Sequence, residues 1–261
     1  MGDVEAGAFA ELDEVLWDPI GRATVLRSNP RFDERVFDAC ARDGATALPT
    51  AELVGPGGVV DAVDRSESMI ELLRERAGER MPQLRTHVGD PAAWPYTGYD
   101  LVQCMLGVFT LDDIEQGTRH LVECARPGGR VAVTVWAHGA LEPLGDVLAA
   151  ALPPDDRVPP VTDAAGPAME QAETAGSFAH WLTERGLVDV RAEAVPRHLE
   201  LEPGLAWEIA VGTGFRALLD GLDDEAVDGV RERYLAELEA RGVASVDVTS
   251  LVAVGHRPAE G

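Results

Sequence analysis

Lysine is missing altogether, and all 22 basic residues of the 261-residue chain are arginines. Without an amine side chain the chain can form no Schiff base, and it cannot build a phosphate loop of the G-K-[ST] type. Cysteine is almost as scarce: Cys40, Cys104 and Cys124 are odd in number, far apart and without a C-x-x-C pair. That spacing excludes a disulfide framework and a cysteine zinc site, leaves the three as small core residues, and gives no reason to expect a metal. Positive charge is also short, with 46 acidic residues and a formal net charge of −24. Such a surface repels phosphate before contact, which excludes nucleic acid and anionic membrane as partners and leaves a solvated acidic exterior. No apolar run reaches bilayer-spanning length and no charged-then-apolar leader opens the chain, so a cytoplasmic location is expected. Neither G-x-S-x-G nor H-E-x-x-H occurs, so no nucleophile elbow or zinc-protease helix is encoded.

What is present is a chain long enough for one large α/β domain, 46% hydrophobic, with no internal repeat. Its most informative stretch is Arg35 to Met69, RVFDACARDGATALPTAELVGPGGVVDAVDRSESM. Val36 and Phe37 begin an apolar strand, a turn carrying Gly44 leads into a helix over Ala45 to Leu53, and Val59 to Val63 form a second strand closed by Asp64. An acidic residue about twenty positions beyond such a turn is spaced to hold an adenosine group. The turn brings a helix N-terminus to the polar tail of the ligand, and the carboxylate on the neighbouring strand accepts from both ribose hydroxyls.

This unit resembles the first motif of the class I S-adenosylmethionine-dependent methyltransferases, especially those similar to ubiquinone and menaquinone methyltransferases. The family pattern D-x-G-x-G-x-G corresponds here to Asp38, Ala39, Cys40, Ala41, Arg42, Asp43 and Gly44, which keeps the first Asp and the last Gly. Two glycine positions have gained side chains. Arg42 either swings over the ligand and pairs with its carboxylate or fills the tail site and blocks it. Further matches follow in the family's order. LRTHVGD followed by PAAWP resembles the second adenine motif, and YDLVQCM resembles the fourth strand. R-P-G-G before RVAVTVW resembles the helix end that leads into the fifth strand, and RGLVDV resembles a later strand entry. The resemblance implies a Rossmann-like, doubly wound α/β fold, with a mostly parallel seven-stranded sheet, an antiparallel last strand and a helical cap. It implies S-adenosylmethionine as cofactor, with contacts from Asp38, Cys40, Arg42, Gly44, Asp64, Arg65, Met69, Gly89, Asp90, Pro91, Cys104 and Met105. Met69 either packs beside adenine or fills the core.

The remaining segments organise around that unit. Residues 1–30 carry a helical pattern, FAELDEVLW, broken by Trp17 to Gly21, which either walls a substrate pocket or packs on the sheet edge. The domain proper runs over 31–261. Residues 139–175, rich in Ala, Pro and Asp, are expected as a mobile lid, and 203–241 as a helical cap. The helix IEQGTRHLVEC is expected to end on the Pro and glycines of R-P-G-G, and VDVRAEAVPRHLELE to form one strand. Methyl transfer is a displacement that needs alignment and exclusion of water more than a protein nucleophile. His138, at the end of the RVAVTVW strand, either accepts a proton from a hydroxyl substrate as the catalytic base or is an exposed loop residue. The flanking Leu, Val, Phe and Trp point to a small apolar or aromatic metabolite as methyl acceptor. The alternative is a methyltransferase fold that has lost methyl transfer and works as a cyclase-like enzyme or ligand-binding protein.

Overall fold

From Arg35 onward, strand-forming and helix-forming runs alternate, and a computed structural model describing residues 7, 9–153 and 171–259 closes them into one sheet. Its strands are β1 (Arg35–Ala39), β2 (Val59–Asp64), β3 (Leu84–Val88), β4 (Tyr99–Met105), β5 (Ala125–Trp136) and β6 (Val188–Val195). After the short β7 (His198–Glu200) and β8 (Ser245–Asp247), the chain returns as β9 (Ser250–His256). The order is β3-β2-β1-β4-β5-β9-β6. Pairs from β3 to β5 are parallel, whereas β9 runs antiparallel between β5 and β6. The central strands are apolar and buried because helices cover both faces, and the edge strand β6 alternates toward solvent. The order reverses between β1 and β4, where diverging loops leave a crevice at the strand carboxyl ends.

The helices are α1 (Asp18–Ser28), α2 (Ala47–Val54), α3 (Glu67–Ala77), α4 (Ile114–Cys124), α5 (Leu144–Ala151), α6 (Ala175–Glu184), α7 (Pro203–Gly212) and α8 (Asp224–Ala240). Among the described residues, no helix is long and apolar enough to cross a membrane. The expected break at Trp17 to Gly21 does not occur. A π-helical turn over Asp13–Trp17 runs directly into α1, and Pro19 falls in the first turn, where its missing N–H leaves no bond unmade. Gly21 is required by contact, since a Cβ there would meet the Ala45 carbonyl carbon at 2.8 Å. Farther along α1, Thr24 Oγ1 lies 2.7 Å from Thr134 Oγ1, and the Ser28 hydroxyl donates to Gln103 Oε1 at 3.3 Å. These buried polar pairs seat α1 across β4 and β5.

Two further boundaries differ from the sequence reading. Helix α4 ends at Cys124, and Ala125 already pairs with Tyr99. The next residue in register is Arg130, opposite Leu101, so R-P-G-G is a bulge at the start of β5, with Gly128 at φ +72°. The stretch expected as one strand divides at Pro196, and the part beyond it pairs with β8 in a separate two-stranded sheet.

Above the strand carboxyl ends sits an apolar body made by parts distant in sequence. Phe9, Leu12, Leu16 and Trp17 pack with Met69, with Leu144, Val147 and Leu148 of α5, and with Ile209 and Tyr234 of the cap. Helix α5 falls within the stretch expected as a lid, and its Leu144, Val147 and Leu148 are fully buried. Residues 154–170 of that stretch lie outside the described residues.

Candidate active site

The turn after β1 keeps a glycine-like backbone without the glycines. Cys40 (φ +57°), Arg42 (φ +48°) and Gly44 (φ +98°) all adopt positive φ. For the two side-chain-bearing residues that costs about 1–2 kcal/mol each. Hydrogen bonds hold the turn in place: Ala41 N–H donates to Val63 O at 3.0 Å and Arg42 N–H to Asp64 Oδ2 at 3.0 Å. Gly44 remains a glycine because a Cβ would run into Leu73 and meet Leu48 Cγ at 3.0 Å. Asp38 is fully buried beneath the turn, accepting from Gln103 Nε2 at 2.8 Å, and burial pushes its carboxyl up to about 7. It anchors the turn from inside the sheet and does not face the crevice.

Asp64 ends β2 with both oxygens engaged, Oδ2 by Arg42 N–H and Oδ1 by Ser66 N–H at 2.9 Å. A carboxylate has about four lone-pair sites, so one on each oxygen remains for two hydroxyls. Met69 is buried in the same apolar cluster as Phe9 and Trp17. Gly89 donates its N–H to Asp64 O at 2.8 Å, and Pro91 is buried in a short turn. Asp90 caps that turn through Ala92 N–H (2.9 Å), while its Oδ2 receives Arg65 at 2.7 Å. That hydrogen bond lowers the Asp90 pKa, and Arg65 also binds Asp112 at 2.8 Å. Arg65 thus links Asp90 to Asp112 in a partly exposed ion-pair bridge, of a kind worth little when broken.

Between β1, β4, β5 and the cap lies a cavity of about 280 Å³. Arg42, Met105 and Leu106 form its sheet side, and Phe9, Trp17, Phe109 and Trp136 its aromatic walls. Phe9 and Trp17 stack at 4.6 Å between centroids, Trp17 and Trp136 lie 6.4 Å apart, and the Arg42 guanidinium sits 5.2 Å from the centre of Phe9. Cys104 lies just behind, buried, its thiol held well above the ordinary range by hydrogen bonding to Cys40 and by burial. The far wall comes from the end of α7 and the 3-10 turn Gly214–Leu219, including Arg216, with Asp220 just beyond the turn.

His138 does not belong to this site. Its side chain is 70% exposed and pairs with Glu173 at 3.2 Å, whereas Trp136, two residues earlier, lines the cavity. The chain has left β5 by then, and the loop turns the imidazole outward. Of the two readings of His138, its placement is that of the exposed loop residue. Among the described residues no group of three His, Cys, Asp or Glu side chains is arranged to hold a metal ion. Arg216, Asp220 and Phe109 were not singled out from sequence, since no local motif connects them to β1.

The residues present fit the adenosyl cofactor at the ribose, through the free lone pairs of Asp64, and offer Arg42 as a cation at the tail. A model of the methyltransferase domain matches residues 36–129. The chain is 28% identical over 160 residues to nocamycin O-methyltransferase of Saccharothrix syringae, covering 57% of each protein. It is also 28% identical over 111 residues to demethylmenaquinone methyltransferase of Halalkalibacterium halodurans, covering 41% of this chain and 45% of that protein. The matches thus span about half the length of these relatives. The structure of the YcgJ protein of Bacillus subtilis superposes with a TM-score of 0.60 at 16% identity, covering 93% of this chain and 99% of that one, a likeness of fold.

Proposed function

We propose, on the premise that the chain belongs to the class I S-adenosylmethionine-dependent methyltransferases, that it transfers a methyl group from S-adenosylmethionine to a small apolar or aromatic acceptor in the cavity beneath the cap. The observation that carries this reading is Asp64: a buried carboxylate at the end of β2, oriented by two backbone N–H groups and beside the strand-order switch. The cofactor supplies the chemistry, an electrophilic methyl on a sulfonium. The chain's own residues bind and align. Asp64 accepts from the ribose hydroxyls, and Arg42 faces the methionyl carboxylate. Met105 and Leu106 close the sheet side, while Phe9, Trp17, Phe109 and Trp136 order a flat acceptor and keep water out. These residues favour alignment over proton abstraction by a dedicated base.

Calorimetry with S-adenosylmethionine and S-adenosylhomocysteine tests the reading. Saturable binding of both is expected. Absence of heat from the folded protein at millimolar ligand would overturn it in favour of a fold retained without methyl transfer.

A further inference from the structure

The cavity contains two arginines that face it from opposite sides, Arg42 from the sheet and Arg216 from the cap. We propose that Arg216 selects the acceptor: a flat, largely apolar molecule carrying a carboxylate, bound with its body between the aromatic walls and its acid on the cap arginine. This rests on the methyltransferase reading of the same site.

Arg216 is built into a firm support. Its N–H donates to Thr213 O at 3.1 Å, and the Thr213 hydroxyl donates to Ile209 O at 2.8 Å. Phe215 and Leu219, on either side of it in the turn, are buried in the cap core. The turn is thereby pinned while Arg216, partly buried, stands at the cavity wall. Acids outnumber arginines about two to one in this chain, and they satisfy other guanidinium groups several at a time. Arg76 meets Asp13, Asp18 and Asp43, and Arg65 meets Asp90 and Asp112. Among the described residues Arg216 makes no such pair, although the exposed Asp220 lines the same cavity. A partly buried guanidinium in a cavity whose other walls are aromatic, and without an acid, is suited to a planar carboxylate arriving from outside. The cofactor's own carboxylate falls to Arg42 on the sheet side. With Arg42 assigned to the cofactor, the second cation, on the cap, is left for the acceptor.

The test uses the full chain, with and without S-adenosylhomocysteine, titrated calorimetrically with 2-naphthoate and with its uncharged analogue 2-naphthamide. The acid is expected to bind at least tenfold more tightly than the amide. Arg216→Gln should abolish that preference and leave the affinity for S-adenosylhomocysteine unchanged, Arg216→Lys should restore part of it, and Asp220→Asn should strengthen acid binding. If Arg216 serves only as a cation against the carbonyl end of α7, acid and amide bind alike, which overturns the proposal. So does a preference that survives Arg216→Gln, or no binding of the acid at millimolar concentration. Failure of S-adenosylhomocysteine to bind would instead strike the methyltransferase reading, and the acid and amide titrations of the unliganded protein would still decide the role of Arg216. Thermal melting of each variant separates loss of binding from loss of folding.

Discussion

Cys40 and Gly107 are a steric pair. A Cβ at residue 107 would overlap that of Cys40 and come within 2.7 Å of the Cys40 sulfur and 2.8 Å of the Cys104 sulfur. The side chain gained in the first turn is thus accommodated by a glycine after β4. Gly107→Ala is expected to destabilise the protein by about 1–3 kcal/mol, as overpacking of a tight contact does. Adding Cys40→Gly should recover part of that loss. Denaturant melts of the two single variants and the double variant give the coupling, and strict additivity would show that the two do not compete for space.

Asp64 has two tasks, so its replacement should show two effects. Asp64→Ala is expected to weaken S-adenosylhomocysteine binding by about 1.5–3 kcal/mol, the range for hydrogen bonds to a charged group. It should also lower the melting temperature, because the Arg42 and Ser66 N–H groups lose their acceptor. An unchanged dissociation constant would remove Asp64 from the cofactor site.

Arg42 lies over Phe9 in the cavity with no ion-pair partner among the described residues. If it clamps the cofactor carboxylate, Arg42→Gly should reduce affinity for S-adenosylhomocysteine about tenfold, or roughly 1.4 kcal/mol. Glycine adopts the positive φ there more easily, so the loss cannot come from a strained turn. A gain in affinity would instead make Arg42 an obstruction of the tail site.

The N-terminal segment is tied to the turn through acids that crowd one arginine. Arg76 pairs with Asp13 at 2.8 Å, with Asp18 at 3.4 Å and with the fully buried Asp43. Burial first, then the neighbouring Asp43, pushes the Asp13 carboxyl up to about 8. Between the ordinary carboxylate range near pH 4 and pH 8, the native state holds a proton that the unfolded chain has released. Stability should therefore fall as pH rises through that window. Asp38, raised to about 7, and the net negative charge act in the same direction. The decisive quantity is the difference between wild type and Asp13→Asn in melting temperature from pH 5 to 8, and the variant should show the shallower slope.

Helix α5 packs its Leu144, Val147 and Leu148 into the cap core. Its amides are expected to be strongly protected from hydrogen exchange without any ligand. Exchange across Leu144–Ala151 as fast as in exposed loops would show that this helix opens with a lid.

Much of the fold is written in local pattern. The apolar runs of β1 and β2, the acid that closes β2, and the glycine at the positive φ of Gly44 are set by residues within one strand-turn-helix unit, where spacing alone fixes geometry. YDLVQCM is β4 to the residue. Element ends were less legible, because they depend on partners elsewhere. R-P-G-G reads as a helix stop until the pairing of Ala125 with Tyr99 makes it a strand bulge, and Pro19 reads as a break until the preceding turn supplies a helix for it to extend. The site divides in the same way. The sequence by itself determined that Asp64 closes β2 beside the turn after β1, since both lie on one short stretch. Only the tertiary structure decided that Phe9, Trp136 and Arg216 share a cavity and that His138 does not, because a loop's exit direction and the meeting of cap with sheet follow from long-range packing that no local spacing encodes.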